Sequence, residues 1–230
     1  LGAGVLVGLG FVGNFLFIGP GLALTEASRG VLYYYSMPFF VALGAHWLIP
    51  GERLTWGKSA GLACAFAGLA VSVSDRLGSG QSASLTGDVY CLVAGMFWAF
   101  TTLVVRTTAL ARIPPEKGLL YQLAVSAPLL LVAAWLYGEP GITELSARVV
   151  AAFAYTVVVV VFVSYVIWMW VLTVYPASQV SVFTFTAPIF AVIAGHLILD
   201  EPVTWRLGLA LALVAGGIHL VNRPRARLSP

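Results

Sequence analysis

Ala27-Ser28-Arg29-Gly30-Val31-Leu32-Tyr33-Tyr34-Tyr35-Ser36-Met37-Pro38-Phe39-Phe40 returns, rewritten, at an offset of 150 as Ala177-Ser178-Gln179-Val180-Ser181-Val182-Phe183-Thr184-Phe185-Thr186-Ala187-Pro188-Ile189-Phe190. The match runs on through His46 and His196. A one-residue slip then brings Glu52-Arg53-Leu54-Thr55-Trp56 onto Glu201-Pro202-Val203-Thr204-Trp205, Leu62-Ala63 onto Leu211-Ala212 and Gly68 onto Gly217. The chain is an internal duplication. Five hydrophobic spans separate a helix from its counterpart, and an odd period inverts the second copy across a bilayer.

Composition points to that bilayer. The chain is 60% hydrophobic and 9% charged, with a mean hydropathy of +0.96, far from the roughly 25% charged residues of a soluble domain. No Asp, Glu, Lys or Arg occurs from Val149 to Leu199 or from Leu207 to Asn222. A soluble core helix would carry a charged outer face, so these runs read as membrane spans. They are continuously apolar and about twice the length of a barrel strand, which selects helices.

Charges, Pro-Gly pairs and loop residues punctuate eight spans, near 3–24, 30–49, 57–74, 87–109, 118–138, 149–173, 178–199 and 204–221. The expected fold class is an all-α integral membrane protein with two inverted five-helix repeats, showing eight transmembrane helices of an expected ten. Residues 1–76 supply the last three helices of the first repeat, 86–223 the complete second repeat, and 224–230 a basic tail. Two helices of the second copy thus lack a partner in the first. No basic leader precedes the first span, which therefore reads as a true span and not as a cleaved signal.

Counting loops back from the C-terminus places Arg223, Arg225, Arg227, Arg106, Arg112, Lys117, Arg53 and Lys58 on one side and Arg29, Arg76, Arg148 and Arg206 on the other. The positive-inside rule then sets the C-terminus in the cytoplasm. The basic tail serves as a topology anchor and implies no nucleic acid. Cys64 and Cys91 fall inside spans with no partner at ligand spacing, so no metal, disulfide or cofactor is expected.

The ordered motifs carry a family likeness. Ala27-Ser28, Ser36-Met37-Pro38, Gly51-Glu52, Thr55, Gly61 and Gly68 recur as Ala177-Ser178, Thr186-Ala187-Pro188, Asp200-Glu201, Thr204, Gly208 and Gly217. In this the chain resembles EamA-type members of the drug/metabolite transporter superfamily. Two departures stand out: Pro50-Gly51 adds a residue to the first loop, and Gly19-Pro20-Gly21 is expected to interrupt a helix that the family keeps continuous. The resemblance implies a secondary transporter of small metabolites, often an exporter in a bacterial inner membrane, with the substrate held between inverted units. Inverted halves that exchange conformations around one midplane site lead to the same mechanism, and no P-loop is present to supply ATP energy. An ion gradient, with protons as one candidate, or substrate exchange would drive it.

Several residues stand out as lining. Asn14 and Ser164 are counterparts deep inside apolar spans, where polar atoms must face protein or water. Tyr34 is the counterpart of Thr184. Ser181 and Thr184 share a helix face with Pro188, Ala191 and Gly195, a face that equally suits close helix contact. Gln122 shares a face with Ser126, and Cys91, Gly95, Trp98 and Thr102 share another. Trp98, Trp168 and Tyr34 offer flat surfaces to an aromatic or amphipathic substrate, or simply pack. Pro38 and Pro188 remove a backbone hydrogen bond in mid-helix, as hinges or as static kinks.

His46 and His196 recur near helix ends, where proton coupling competes with interfacial hydrogen bonding. Glu52 and Glu201 are expected to accept N–H bonds at the start of the helix that follows each of them.

The expected partners are a small-molecule substrate and the lipid bilayer, with room for a homodimer. The competing readings are a non-transporting or degenerate membrane subunit and, more distantly, an intramembrane enzyme. The latter lacks any HExxH, GxSxG or intramembrane Asp pair.

Overall fold

The computed structural model describes residues 2–77, 82–141, 145–164, 167 and 187–222, and all regular structure among them is helical. The helices are α1 (Gly2–Leu24), α2 (Ala27–Tyr34), α3 (Met37–Leu48), α4 (Trp56–Leu77), α5 (Ser82–Thr107), α6 (Pro115–Leu136), α7 (Ala147–Tyr155), α8 (Ala187–Leu199) and α9 (Trp205–Asn222). A 3-10 turn (Ala109–Arg112) precedes α6, and a π-helical segment (Thr156–Val163) continues α7. By length and composition, Gly2–Leu24, Trp56–Ser74, Leu85–Thr107 and Lys117–Leu136 can each cross a membrane, and Ala147–Val160, Ala187–Leu199 and Trp205–Val221 are shorter apolar helices.

The chain forms two compact units, one from Leu1–Leu131 with Ala187–Pro230 and one from Val132–Thr186. In the first, two antiparallel seams dominate. Along α1 and α5, Gly13 lies under Phe97, Gly10 under Phe100 and Thr101, and Gly21 against Cys91. Small residues let apolar helices approach closely where no hydrophobic effect drives them together.

The seam between α4 and α9 is tighter still. A Cβ on Gly61 would meet the Gly217 carbonyl oxygen at 2.7 Å, one on Gly217 would meet the Gly61 carbonyl oxygen at 2.5 Å, and one on Gly68 would meet the Ala210 carbonyl oxygen at 2.8 Å. Exchanging the two sequence copies at an offset of 149 turns the pair Gly61–Gly217 into Ala210–Gly68. Both contacts are made, a reciprocity that a twofold axis generates.

Each final helix is started by the threonine of the repeated motif. Thr55 Oγ1 accepts from the Lys58 N–H at 3.4 Å, and Thr204 Oγ1 accepts from the Leu207 N–H at 3.1 Å, the ordinary N-cap arrangement. Just before each motif glutamate the backbone turns left-handed, at Gly51 (φ +86°) and Asp200 (φ +54°). Aspartate tolerates that region, whereas a β-branched residue does not. Asp200→Gly is therefore expected to hold or raise thermal stability, and Asp200→Val to lower it by about 1–2 kcal/mol, read from melting of the detergent-solubilised protein.

Two expectations are corrected. The span near 30–49 is not one helix with Pro38 in its middle: α2 ends at Tyr34, and Pro38 sits in the first turn of α3 behind Ser36. There its missing N–H has no intrahelical acceptor to lose, so proline starts a helix here and does not kink one. At about 1.5 Å per residue, α2 and α3 together reach the ~30 Å of a hydrocarbon core. Conversely, Gly19-Pro20-Gly21 does not interrupt α1, which runs on to Leu24 with Pro20 inside it. Gly21 stays helical beneath Cys91 Sγ, where a side chain would collide. Pro188 is buried in α8, and the residues before Ala187 lie outside the described set.

Candidate functional site

The broken span and the α1–α5 seam meet at a polar and aromatic cluster near the middle of the helices. Asn14 is 4% exposed, and its Nδ2 donates to the Ala94 carbonyl at 2.9 Å and to Tyr34 Oη at 3.3 Å. The Tyr34 ring stacks on Trp98 with centroids 4.9 Å apart, and Tyr35 meets the same indole edge-on at 5.7 Å. Such ring geometries are worth about 0.5–1.5 kcal/mol beyond area burial. Gly95 makes the approach of α2 possible, because a Cβ there would lie 2.7 Å from the Tyr34 carbonyl oxygen. At the break itself, Ser36 is fully buried and its hydroxyl has no hydrogen-bond partner among the described residues.

Of the sequence candidates, Asn14, Tyr34 and Trp98 are brought together. Thr102 is one turn along α5 and donates to the Trp98 carbonyl at 3.0 Å, within its own helix. Gln122 is not at the cluster. Its neighbours Tyr121 and Val125 cover Gly4 and Gly8 of α1, which sets Gln122 about 14 Å from the level of Asn14 at 1.5 Å per residue.

The Ser164 hydroxyl donates to the Val159 carbonyl at 3.0 Å, within its own helix. Back-bonding of this kind satisfies a membrane serine locally. Trp168, Ser181 and Thr184 lie outside the described residues. His46 Nδ1 accepts from the Leu54 N–H at 3.1 Å, and His196 Nδ1 lies 3.0 Å from the Glu201 carbonyl oxygen. Each ring thus braces the turn that follows its helix.

The role expected for Glu52 and Glu201 is corrected. Among the described residues neither carboxylate bonds the start of the following helix, where Thr55 and Thr204 form the N-caps. Glu52 instead accepts from the Arg106 guanidinium. Glu201 reaches into the other copy, where Oε1 accepts from the Ala27 N–H at 2.6 Å and Oε2 from the Ser28 N–H at 3.0 Å.

Near these contacts two further polar links were not foreseen. Arg29, 3% exposed, donates to the Ser72 carbonyl at 2.9 Å, to Ser72 Oγ at 3.1 Å and to Glu26 at 3.1 Å. Thr25 Oγ1 donates to Asp88 Oδ1 at 2.5 Å, with Asp88 1% exposed inside α5. One signal was legible: no Ser, Thr, Asp or Asn stands at the N-cap of α2, where Glu26 makes no side-chain cap. A helix start left so inside a membrane protein must be satisfied from elsewhere.

Apolar spans, glycine seams, a span broken at mid-depth and a buried polar cluster beside the break define the class, a multi-pass integral membrane protein built as transporters are. The chain belongs to the EamA-like transporter family, whose sequence profile matches residues 85–223. It is similar to the uncharacterized transporter YoaV of Bacillus subtilis, 24% identical over 94% of this chain and 72% of that protein. An uncharacterized transporter of Archaeoglobus fulgidus is 27% identical over 87% of this chain and 68% of its own length. The chloroplastic WAT1-related protein At3g02690 of Arabidopsis thaliana is 30% identical over 90% of this chain, which spans 51% of that relative. A solved crystal structure shares the fold with a TM-score of 0.62 at 22% identity, covering 95% of this chain and 73% of that one.

Proposed function

We propose that the protein is a secondary transporter, an exporter of small metabolites, that works by alternating access between inverted repeats. The observation that carries this reading is the Asn14–Tyr34–Trp98 cluster beside the mid-span break at Tyr35–Ser36. A broken helix leaves backbone groups and short polar side chains at membrane depth, which is tolerated where they line a cavity or pack on protein. The reciprocal α4–α9 seam supports two copies related by a twofold axis, the symmetry that lets each side open in turn.

The cluster offers aromatic faces, one amide and phenolic hydroxyls, and no basic side chain. That chemistry suits a neutral, zwitterionic or singly charged amphipathic solute, such as an amino acid, better than a multiply anionic one. The Lys and Arg distribution supports a cell-membrane orientation with the C-terminus in the cytoplasm. Protons are the proposed coupling ion, with His46 and His196 as the titratable candidates near the helix ends.

The test is flux in sealed vesicles, screening amino acids and small amphipathic metabolites with and without a proton gradient. Saturable flux that rises with the gradient is the expected result. A folded protein that moves none of them would favour the non-transporting alternative.

A further inference from the structure

The two motif glutamates occupy equivalent places in the duplicated sequence but different environments in the fold. Glu52 is about a third exposed and is held by the arginine side chain of Arg106. Glu201 is 8% exposed and bonds main-chain N–H groups 173 and 174 residues away. Its placement is fixed from behind as well. The Glu201 N–H donates to the Gly195 carbonyl at 3.1 Å, the His196 ring braces its carbonyl, and a side chain on Gly195 would collide with its carboxylate. The Glu201 backbone is thereby held where its carboxylate meets Ala27 and Ser28.

The contact lies at one end of the helices of the first unit. Glu201 lies in the turn before α9, whose other end is Asn222, so Glu201 and the start of α2 lie at the face opposite Asn222. At the same face Arg29 ties α2 to Ser72 near the end of α4, and Thr25 ties the α1–α2 turn to Asp88 in α5. Ser28 is 1% exposed there, and its hydroxyl has no hydrogen-bond partner among the described residues. The N–H groups of a helix start, with the dipole behind them, hold an anion firmly but over a short range.

The geometry points to Glu201 as a latch: its carboxylate, from the second copy, caps α2 of the first copy and holds the face opposite the Asn222 end of α9 closed, and that face opens only when the cap is released. This rests on the alternating-access reading, since a latch has a use only if the face opens. Glu201 is here a positioning residue for α2, and Glu52, in its exposed arginine pair, does not share the role in this conformation.

The test reads accessibility directly. A single reporter, Ser28→Cys, is placed in the protein with Cys64 and Cys91 changed to alanine, in sealed vesicles of both orientations. A membrane-impermeant maleimide is then applied from each face. With Glu201 present the reporter is expected to react slowly. Glu201→Gln keeps the shape but loses the charge, and Glu201→Ala removes the cap; the rate should rise in that order, by about tenfold or more for the alanine, from the Glu201 face alone.

Glu52→Gln should leave the rate unchanged. Equal rates in the Glu201 chains, each monodisperse on size exclusion, would overturn the proposal, as would equal acceleration from both faces. Because the glutamine variant preserves packing, misfolding of the alanine variant leaves a decisive comparison. Labelling needs no substrate, so an absence of flux would count against the transporter reading without deciding the latch.

Discussion

Gly217→Leu is expected to prevent the protein from folding into a stable, monodisperse form, whereas Gly216→Leu, one residue earlier, is expected to leave it nearly unchanged. The two glycines look alike in sequence but differ in what surrounds them. A Cβ on Gly217 would meet the Gly61 carbonyl oxygen at 2.5 Å, the Ala65 Cβ at 2.8 Å and the Ala65 nitrogen at 2.9 Å, while one on Gly216 meets nothing within 4 Å.

Two of the three obstacles at Gly217 are backbone atoms on a neighbouring helix, which cannot rotate away as a side chain can. Overpacking against movable side chains already costs about 1–3 kcal/mol. Here α4 and α9 must separate along their whole seam, a loss of the order of the protein's total stability. Size exclusion and thermal melting in detergent would check this. A Gly217→Leu protein that melts within a few degrees of the parent would show that the seam is not built as described.

The second large effect is expected at Asn14. Its amide is buried at mid-span and holds α5 through the Ala94 carbonyl and α2 through the Tyr34 hydroxyl. Asn14→Leu fills similar space but removes both donors. Interhelical hydrogen bonds in membrane proteins average about 0.6 kcal/mol, so melting should fall only modestly. Flux should be lost, because the Tyr34 ring no longer has its hydroxyl fixed while it stacks on Trp98. A 1 Å displacement of a positioning group is enough for about a hundredfold loss of rate in catalytic sites, and the same reasoning applies to a solute that must be seated before the protein turns over. Unchanged flux in Asn14→Leu would show that the amide is only a structural tie.

Much of this was legible from one sequence. The duplication was plain because two copies of a membrane helix pair must keep the same small residues wherever backbones touch, and Gly68 with Gly217 records that constraint. Asn14 stood out because an amide inside an apolar run has to be satisfied. Tyr34 and Trp98 were legible as candidate surfaces, though not as a stacked pair.

What escaped was set by groups distant in the chain. Glu201 seemed tied to the helix beside it, and Thr204 fills that place, leaving the carboxylate to find α2 across more than 170 residues. Proline was also ambiguous. Pro38 begins a helix, because the chain had already ended one at Tyr34, and Pro20 rides inside α1, because the backbone around it is held against α5. Neither outcome is encoded by the proline itself, only by what packs around it. Gln122 shares the polarity of a lining residue but lies at a different depth from the Asn14 cluster, a coordinate that hydrophobic periodicity does not carry.

The most direct test of the central claim is flux of one transported solute through proteoliposomes containing the parent protein, Tyr34→Ala, Trp98→Ala and Trp135→Ala. Trp135 is 79% exposed on α6 and serves as the outer-surface aromatic control. Parent-like flux is expected for Trp135→Ala and a loss of several-fold to about tenfold for Tyr34→Ala and Trp98→Ala, each still monodisperse, as follows when an aromatic stacking contact worth about 0.5–1.5 kcal/mol is removed. Parent-like flux through Tyr34→Ala and Trp98→Ala would contradict it and move the substrate path away from this cluster.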